Sequence, residues 1–247
     1  MSKRFNRRRI VTWIIIISVF FLGTNRISSY LHNYYHATSE ALECISSPAE
    51  GITVDYLDNA IVFKSENPTA GLIFYPGGLV QTEAYAPLME QLAQQNIMCV
   101  LVEMPYYLAL FDANAARGIQ AQFPEISDWY IGGHSLGGAM ASLYADRHKE
   151  EYEGLILLAA YSMVDLTDGA PVDVLTIRGS EDGVLNMKNY NKNLSNLPAD
   201  YTEVIIEGGC HGYFGDYGMQ AGDGTPTITV QEQTTQTVDA ILNFMNN

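Results

Sequence analysis

Positive charge is scarce in this chain. It has 13 Lys and Arg against 28 Asp and Glu in 247 residues, a formal net charge of −15. Six of the bases (Lys3, Arg4, Arg7, Arg8, Arg9 and Arg26) fall in the first 26 residues, which hold no acid. The remainder carries seven bases against 28 acids, a body that repels phosphate backbones and argues strongly against nucleic acid as a partner. Cysteine is also scarce. Cys44, Cys99 and Cys210 form no C-x-x-C pair, and three thiols cannot pair completely, which argues against a disulfide framework. The His and Cys residues are scattered, which excludes a zinc finger. No fixed-period repeat or low-complexity tract is visible. With 47% apolar and 17% charged residues, the chain is neither disordered nor a coiled coil, and its length suits one domain with a large core.

Residues 1–26 read as a basic end followed by an apolar signal anchor. Five bases lie between Lys3 and Arg9, and no charge appears from Ile10 to Asn25. Sixteen residues span about 24 Å as a helix, somewhat short of the ~30 Å hydrocarbon core, and Arg9 and Arg26 can snorkel to make up the difference. No good small-x-small cleavage site follows Gly23, so an uncleaved anchor is expected, with a cleaved secretion signal as the alternative. The base asymmetry places the amino end in the cytoplasm and the body outside the membrane. Residues 27–48 read as a juxtamembrane connector and 49–247 as the catalytic domain.

From residue 49, apolar runs alternate with amphipathic stretches. Strands are expected at 51–56, 60–64, 71–75, 98–103, 129–133, 154–159, 172–178 and 202–206. Helices are expected at 83–94, 112–120, 137–148, 187–193 and 231–244. Strand then helix, repeated, with near-continuous Val/Ile/Leu strands, predicts an α/β fold: a mostly parallel central sheet with helices on both faces.

The sharpest motif is Gly133-His134-Ser135-Leu136-Gly137, a G-x-S-x-G between an apolar strand and a helix rich in small residues. A sharp strand-to-helix turn leaves Ser135 exposed as a nucleophile, and a side chain at 133 or 137 would clash there. The Leu136 N–H at the helix start becomes an oxyanion donor. His134 is read as structural, its side chain pointing away from that of Ser135. The order of this architecture is nucleophile, acid, histidine. Of the five histidines only His148 and His211 follow Ser135, and His148 sits at the far end of the nucleophile's helix, roughly 20 Å away. His211 is therefore the expected general base. Asp182, in Gly179-Ser180-Glu181-Asp182-Gly183, is the expected acid, preferred over Glu181 because Asp-Gly shapes a turn. The second oxyanion donor is Gly78 or Leu79, in the loop Tyr75-Pro76-Gly77-Gly78-Leu79.

These segments resemble the α/β-hydrolase family, in particular its small bacterial branch similar to dienelactone hydrolases. The resemblance runs from Gly51 to Asn246 and rests on Tyr-Pro-Gly-Gly at 75–78, Met-Pro at 104–105, the run at 129–138, Gly-Ser-Glu-Asp-Gly at 179–183, and the glycine-rich segment at 208–218 that continues into Gly222-Asp223-Gly224. It implies a serine hydrolase with a triad and no metal, and it implies no substrate; the leading reading of the site residues is hydrolysis of a small-molecule ester or related acyl bond by Ser135, with no cofactor. Similar proteins tend to carry Asn where this chain has Cys210. A small buried side chain is the plainer reading of Cys210, and redox sensitivity the alternative. Only residues 161–171 separate the sixth and seventh expected strands, too few for a helical cap, so an open site is expected. Tyr106–Phe111 either line it or pack in the core. Acyl transfer with the same residues, and a catalytically dead binding protein, are the competing functions.

Overall fold

The computed structural model describes residues 33–168 and 172–246. The expected basic and membrane segment at 1–26, and the start of the connector, lie outside the described residues. Among those described, no helix is long and apolar enough to cross a membrane.

Eight strands form one sheet in the order β1-β2-β4-β3-β5-β6-β7-β8. They are β1 (Thr53–Leu57), β2 (Ala60–Lys64), β3 (Ala70–Tyr75), β4 (Ile97–Val102), β5 (Trp129–His134), β6 (Gly154–Leu158), β7 (Asp173–Gly179) and β8 (Thr202–Ile206). β1 and β2 form an antiparallel edge, and every pairing from β4 to β8 is parallel. β3, β4 and β6 are buried throughout, which explains their unbroken apolar runs.

Among the described residues five α-helices accompany the sheet: α1 (Ser39–Ser46), α2 (Ala86–Ala93), α3 (Leu136–Arg147), α4 (Met187–Asn193) and α5 (Val230–Met245). Alternation along the strands sends Ile73 and Tyr75 to one face, where they meet α3 through Met140, Ala141 and Tyr144. Leu72 and Phe74 face the opposite layer, with Leu88 and Met89 of α2 and Val238 and Ile241 of α5. The connections after β3 and β5 therefore leave on opposite faces. Between these two neighbours the strand order reverses, the place in an open α/β sheet where ligands commonly bind.

Three stretches depart from the expected elements. Residues 112–120 are turns rather than a helix. The Tyr75 hydroxyl accepts the Ala116 N–H (2.9 Å) and donates to the Ala113 carbonyl (3.1 Å), taking groups a helix would have paired, and Gly118 sits at φ 77°. The helix expected from residue 83 begins as a 3₁₀ turn, Thr82–Tyr85, and becomes α-helical only at Ala86. Pro87 has no N–H to bond back to Glu83, so it suits the first turn of α2 and not its interior. Lastly, residues 39–46 of the expected connector form α1. Thr38 caps it by accepting the Ala41 N–H (3.2 Å), and Ala41 is fully buried. The compact unit holding the sheet begins at Tyr35.

Candidate active site

The carboxyl ends of β3, β5, β7 and β8 carry the loops that contain the expected site residues. Ser135 occupies the turn between β5 and α3 at φ 51°, ψ −120°, a conformation that costs a non-glycine residue energy. Glycines make the turn possible. A Cβ on Gly133 would stand 2.6 Å from the Tyr75 carbonyl oxygen, and one on Gly137 would overlap the carbonyl oxygens of Tyr75 and Pro76. The Ser135 N–H donates to the Leu158 carbonyl at 2.9 Å, pinning the turn to β6.

Asp182 and His211 are brought together. His211 Nδ1 lies 2.9 Å from Asp182 Oδ2, and the two side chains are 1% and 2% exposed. The other oxygen, Oδ1, accepts the N–H groups of Val184 (2.9 Å) and Leu185 (2.7 Å), so the carboxylate is fixed before it meets the ring. Glu181 points to solvent, its carboxylate taking the Ser180 hydroxyl at 3.2 Å. His211 Nε2 is buried with no hydrogen-bond partner among the described residues, so Ser135 Oγ is not bonded to it. Both residues nevertheless line one cavity of about 290 Å³ with Leu136, Ala139, Met163 and Leu185. A groove of equal volume between β8 and α5 contains no serine, cysteine or histidine.

Of the two candidates in the loop after β3, only Gly78 is free to donate. The Leu79 N–H already gives its hydrogen to the Tyr107 carbonyl (2.7 Å), which corrects the expectation that Leu79 could serve. Neither Gly78 nor Leu136 uses its N–H in a hydrogen bond among the described residues. They also lie side by side: a Cβ on Gly78 would meet Leu136 Cδ2 at 3.0 Å.

His134 belongs to the scaffold of this loop. The Tyr85 hydroxyl accepts the Gly77 N–H (2.9 Å) and is also hydrogen-bonded to His134 Nδ1 (2.8 Å), the ring's tautomer setting which of the two donates. Burial, then the adjacent His211, hold His134 well below the ordinary imidazole pKa, and it stays neutral. Its ring centroid is 4.5 Å from that of His211.

Two residues that the sequence reading did not single out hold the histidine loop. Asp223 Oδ1 accepts N–H groups of Gly183 (3.0 Å), His211 (3.2 Å) and Gly224 (2.9 Å), and Oδ2 accepts that of Gly212 (2.8 Å). It thus ties the loop of Asp182 to the loop of His211. Burial works to raise its pKa, but the bonds from Gly212, Gly183, His211 and Gly224 outweigh it and hold the carboxyl below the ordinary 3.8. The only signal in the sequence was an acid between two glycines. Gln233, fully buried on α5, accepts the Cys210 N–H (2.9 Å) and donates to the Cys210 carbonyl (2.8 Å). Burial, then the Asp223 charge, push the Cys210 thiol up to about 12, so it is a protonated, buried side chain.

Residues 71–235 match the alpha/beta hydrolase family. The chain belongs to that family. No curated protein matches it. Among solved structures, TT1662 from Thermus thermophilus is similar with a TM-score of 0.58 at 15% identity, covering 79% of this chain and 99% of its own. A dienelactone hydrolase from Anabaena variabilis gives 0.56 at 14%, over 78% and 99%. Est1E from Butyrivibrio proteoclasticus gives 0.55 at 13%, over 80% and 100%. At such identities the likeness speaks for the fold, and the function has to be argued from the site.

Proposed function

We propose that this alpha/beta hydrolase family member is a serine hydrolase that cleaves small carboxylic esters with short acyl groups. The observation that carries the reading is the buried Asp182–His211 pair, whose unpartnered Nε2 shares a cavity with Ser135 on its strained turn. In the reaction His211 Nε2 takes the Ser135 proton as Oγ attacks the ester carbonyl. Asp182 stabilises the imidazolium, and the oxyanion is received by the N–H groups of Leu136 and Gly78. His211 then protonates the departing alcohol. A water molecule, activated by the same nitrogen, hydrolyses the acyl-enzyme and releases the acid.

The acyl preference follows from the walls. Leu136, Ala139, Met163 and Leu185 provide apolar surface within about 290 Å³, and residues 161–168 form no helix that would extend it. Each buried CH₂ contributes about 0.8 kcal/mol only while wall remains to cover it. kcat/KM is expected to peak with short p-nitrophenyl esters; a steady rise from butyrate to palmitate would refute the preference. A fluorophosphonate should label the wild-type chain on Ser135 and leave Ser135→Ala unlabelled and inactive. Full esterase activity in Ser135→Ala would refute the mechanism.

The proposal extends to location. The bases at 3–9 and the uncharged run 10–25 support a single membrane segment with the catalytic body outside. Protease added to intact cells should digest the body, and a fully protected body would rule this topology out.

A further inference from the structure

Tyr35 joins the loop after β3 to the loop that follows His211. Its backbone runs parallel to Val80: the Tyr35 N–H donates to the Leu79 carbonyl (2.8 Å), and the Gln81 N–H donates to the Tyr35 carbonyl (2.9 Å). Its side chain reaches the opposite loop. The hydroxyl accepts the Ala221 N–H (3.0 Å), and the ring lies 5.4 Å from that of Tyr217. The next residues repeat the pattern, with the Ala37 N–H donating to Gln81 Oε1 (3.0 Å) and the Thr38 N–H to the Asp216 carbonyl (3.0 Å).

The two loops so joined are those the reaction needs in register. Leu79 follows the oxyanion donor Gly78 and sits at φ 56°, a left-handed conformation that a leucine adopts only when its surroundings impose it. The Tyr107 carbonyl holds its N–H and Tyr35 holds its carbonyl. On the other side, Ala221 is two residues from Asp223, whose carboxylate holds the backbone of His211. We infer that Tyr35 is a positioning residue that clamps the oxyanion loop to the histidine loop, making the segment before α1 part of the catalytic apparatus. The inference rests on the serine-hydrolase reading above.

Two changes remove one bond from opposite ends. Tyr35→Phe deletes the acceptor and keeps the ring on Tyr217. Ala221→Pro deletes the donor. Ala221 precedes Gly222 (φ 87°) in a turn closed by the Asp223 N–H on the Gln220 carbonyl (3.1 Å), a type II position where proline is favoured. In the full chain each should lower kcat for p-nitrophenyl butyrate about fivefold with KM unchanged, the effect of losing one hydrogen bond. The double variant should be no slower than either single one. Affinity for a trifluoromethyl ketone, which mimics the tetrahedral state, should fall in parallel. Tyr35→Ala should lose more, short of the ~10²-fold that removal of an oxyanion donor costs. Tyr56→Ala, exposed on β1, should match wild type.

Wild-type kcat and ketone affinity in both Tyr35→Phe and Ala221→Pro overturn the inference, as do losses that multiply in the double variant. If Tyr35→Ala fails to fold, that pair still decides. A wild-type chain that a fluorophosphonate does not label overturns the serine-hydrolase reading and the inference with it. Normal labelling with unaffected Tyr35 variants overturns the inference alone.

Discussion

On the Ser135 side of the pocket the turn is held chiefly by backbone close approach, Gly133 and Gly137 lying against the carbonyls of Tyr75 and Pro76. On the histidine side the chain is held by side chains. Asp223 and Gln233 reach back 12 and 23 residues to hold the backbone around His211, and Tyr35 binds Ala221 across 186. The first construction brings two backbone segments into direct contact and is intolerant of one added methyl group. The second is distributed, so its bonds can be removed singly. Each side should therefore fail differently: the Ser135 side by loss of fold, the histidine side by loss of alignment.

The largest effect is expected on the histidine side, at Asp182, whose carboxylate meets the His211 ring. Asp182→Asn should lower kcat on the order of 10⁴-fold, since the amide disturbs the tautomer and charge of His211. Glu181→Gln should retain most activity, because that carboxylate faces solvent. The reverse ranking in steady-state assays would show the acid to be the neighbouring residue. Gly137→Ala tests the other side. The added methyl would overlap two carbonyl oxygens of the loop after β3, and backbone cannot yield as a flexible side chain does. The expected cost is above ~4 kcal/mol, read as a collapse of the thermal transition. A folded, active Gly137→Ala would mean the turn is looser than its contacts imply.

The same contrast governs what could be read before the fold was known. The Ser135 turn was legible because its requirements are local: glycines at fixed offsets, an apolar strand before and small residues after. The sheet was legible for a similar reason, since strands buried on both faces announce themselves as unbroken apolar runs. The helix expected at 112–120 fails because Tyr75, some 40 residues earlier, takes its backbone groups. The helix at 39–46 lay in a stretch read as a connector, its cap at Thr38 overlooked. Asp223, Gln233 and Tyr35 act through partners that no spacing rule brings together. The choice of Gly78 over Leu79 turns on a single bond to Tyr107.

Asp223 should give an intermediate effect. Asp223→Ala frees four N–H groups at once and lets the loops of Asp182 and His211 move apart. A displacement near 1 Å can cost about 10²-fold, so kcat should fall by up to that amount while KM changes little. The carboxyl also makes a pH statement. Its folded pKa lies below the ordinary 3.8, so its stabilisation is fully present above that value and is lost as pH falls through the folded pKa. Wild type should therefore lose stability on acidification below about pH 4 more steeply than Asp223→Asn. Equal acid profiles would show that Asp223 is not the group held ionised.

The smallest effects separate two residues that meet at one peptide. Cys210 has its backbone N–H and carbonyl held by Gln233, while its thiol is buried beside Asp223. Cys210→Ala removes only a buried thiol and should cost about 1 kcal/mol of stability, with kcat close to wild type. Gln233→Leu leaves the buried Cys210 N–H and carbonyl without partners, at about 1–3 kcal/mol each, and shifts the residue next to His211. It should be the less stable and the slower of the two. The thiol adds an independent check. Burial and the Asp223 charge keep it protonated well above neutral pH, so iodoacetamide should not modify Cys210 in the native chain at pH 8 and should do so after unfolding. Rapid native alkylation at Cys210 with loss of activity would instead make that thiol accessible and place the redox-sensitive reading ahead of the structural one.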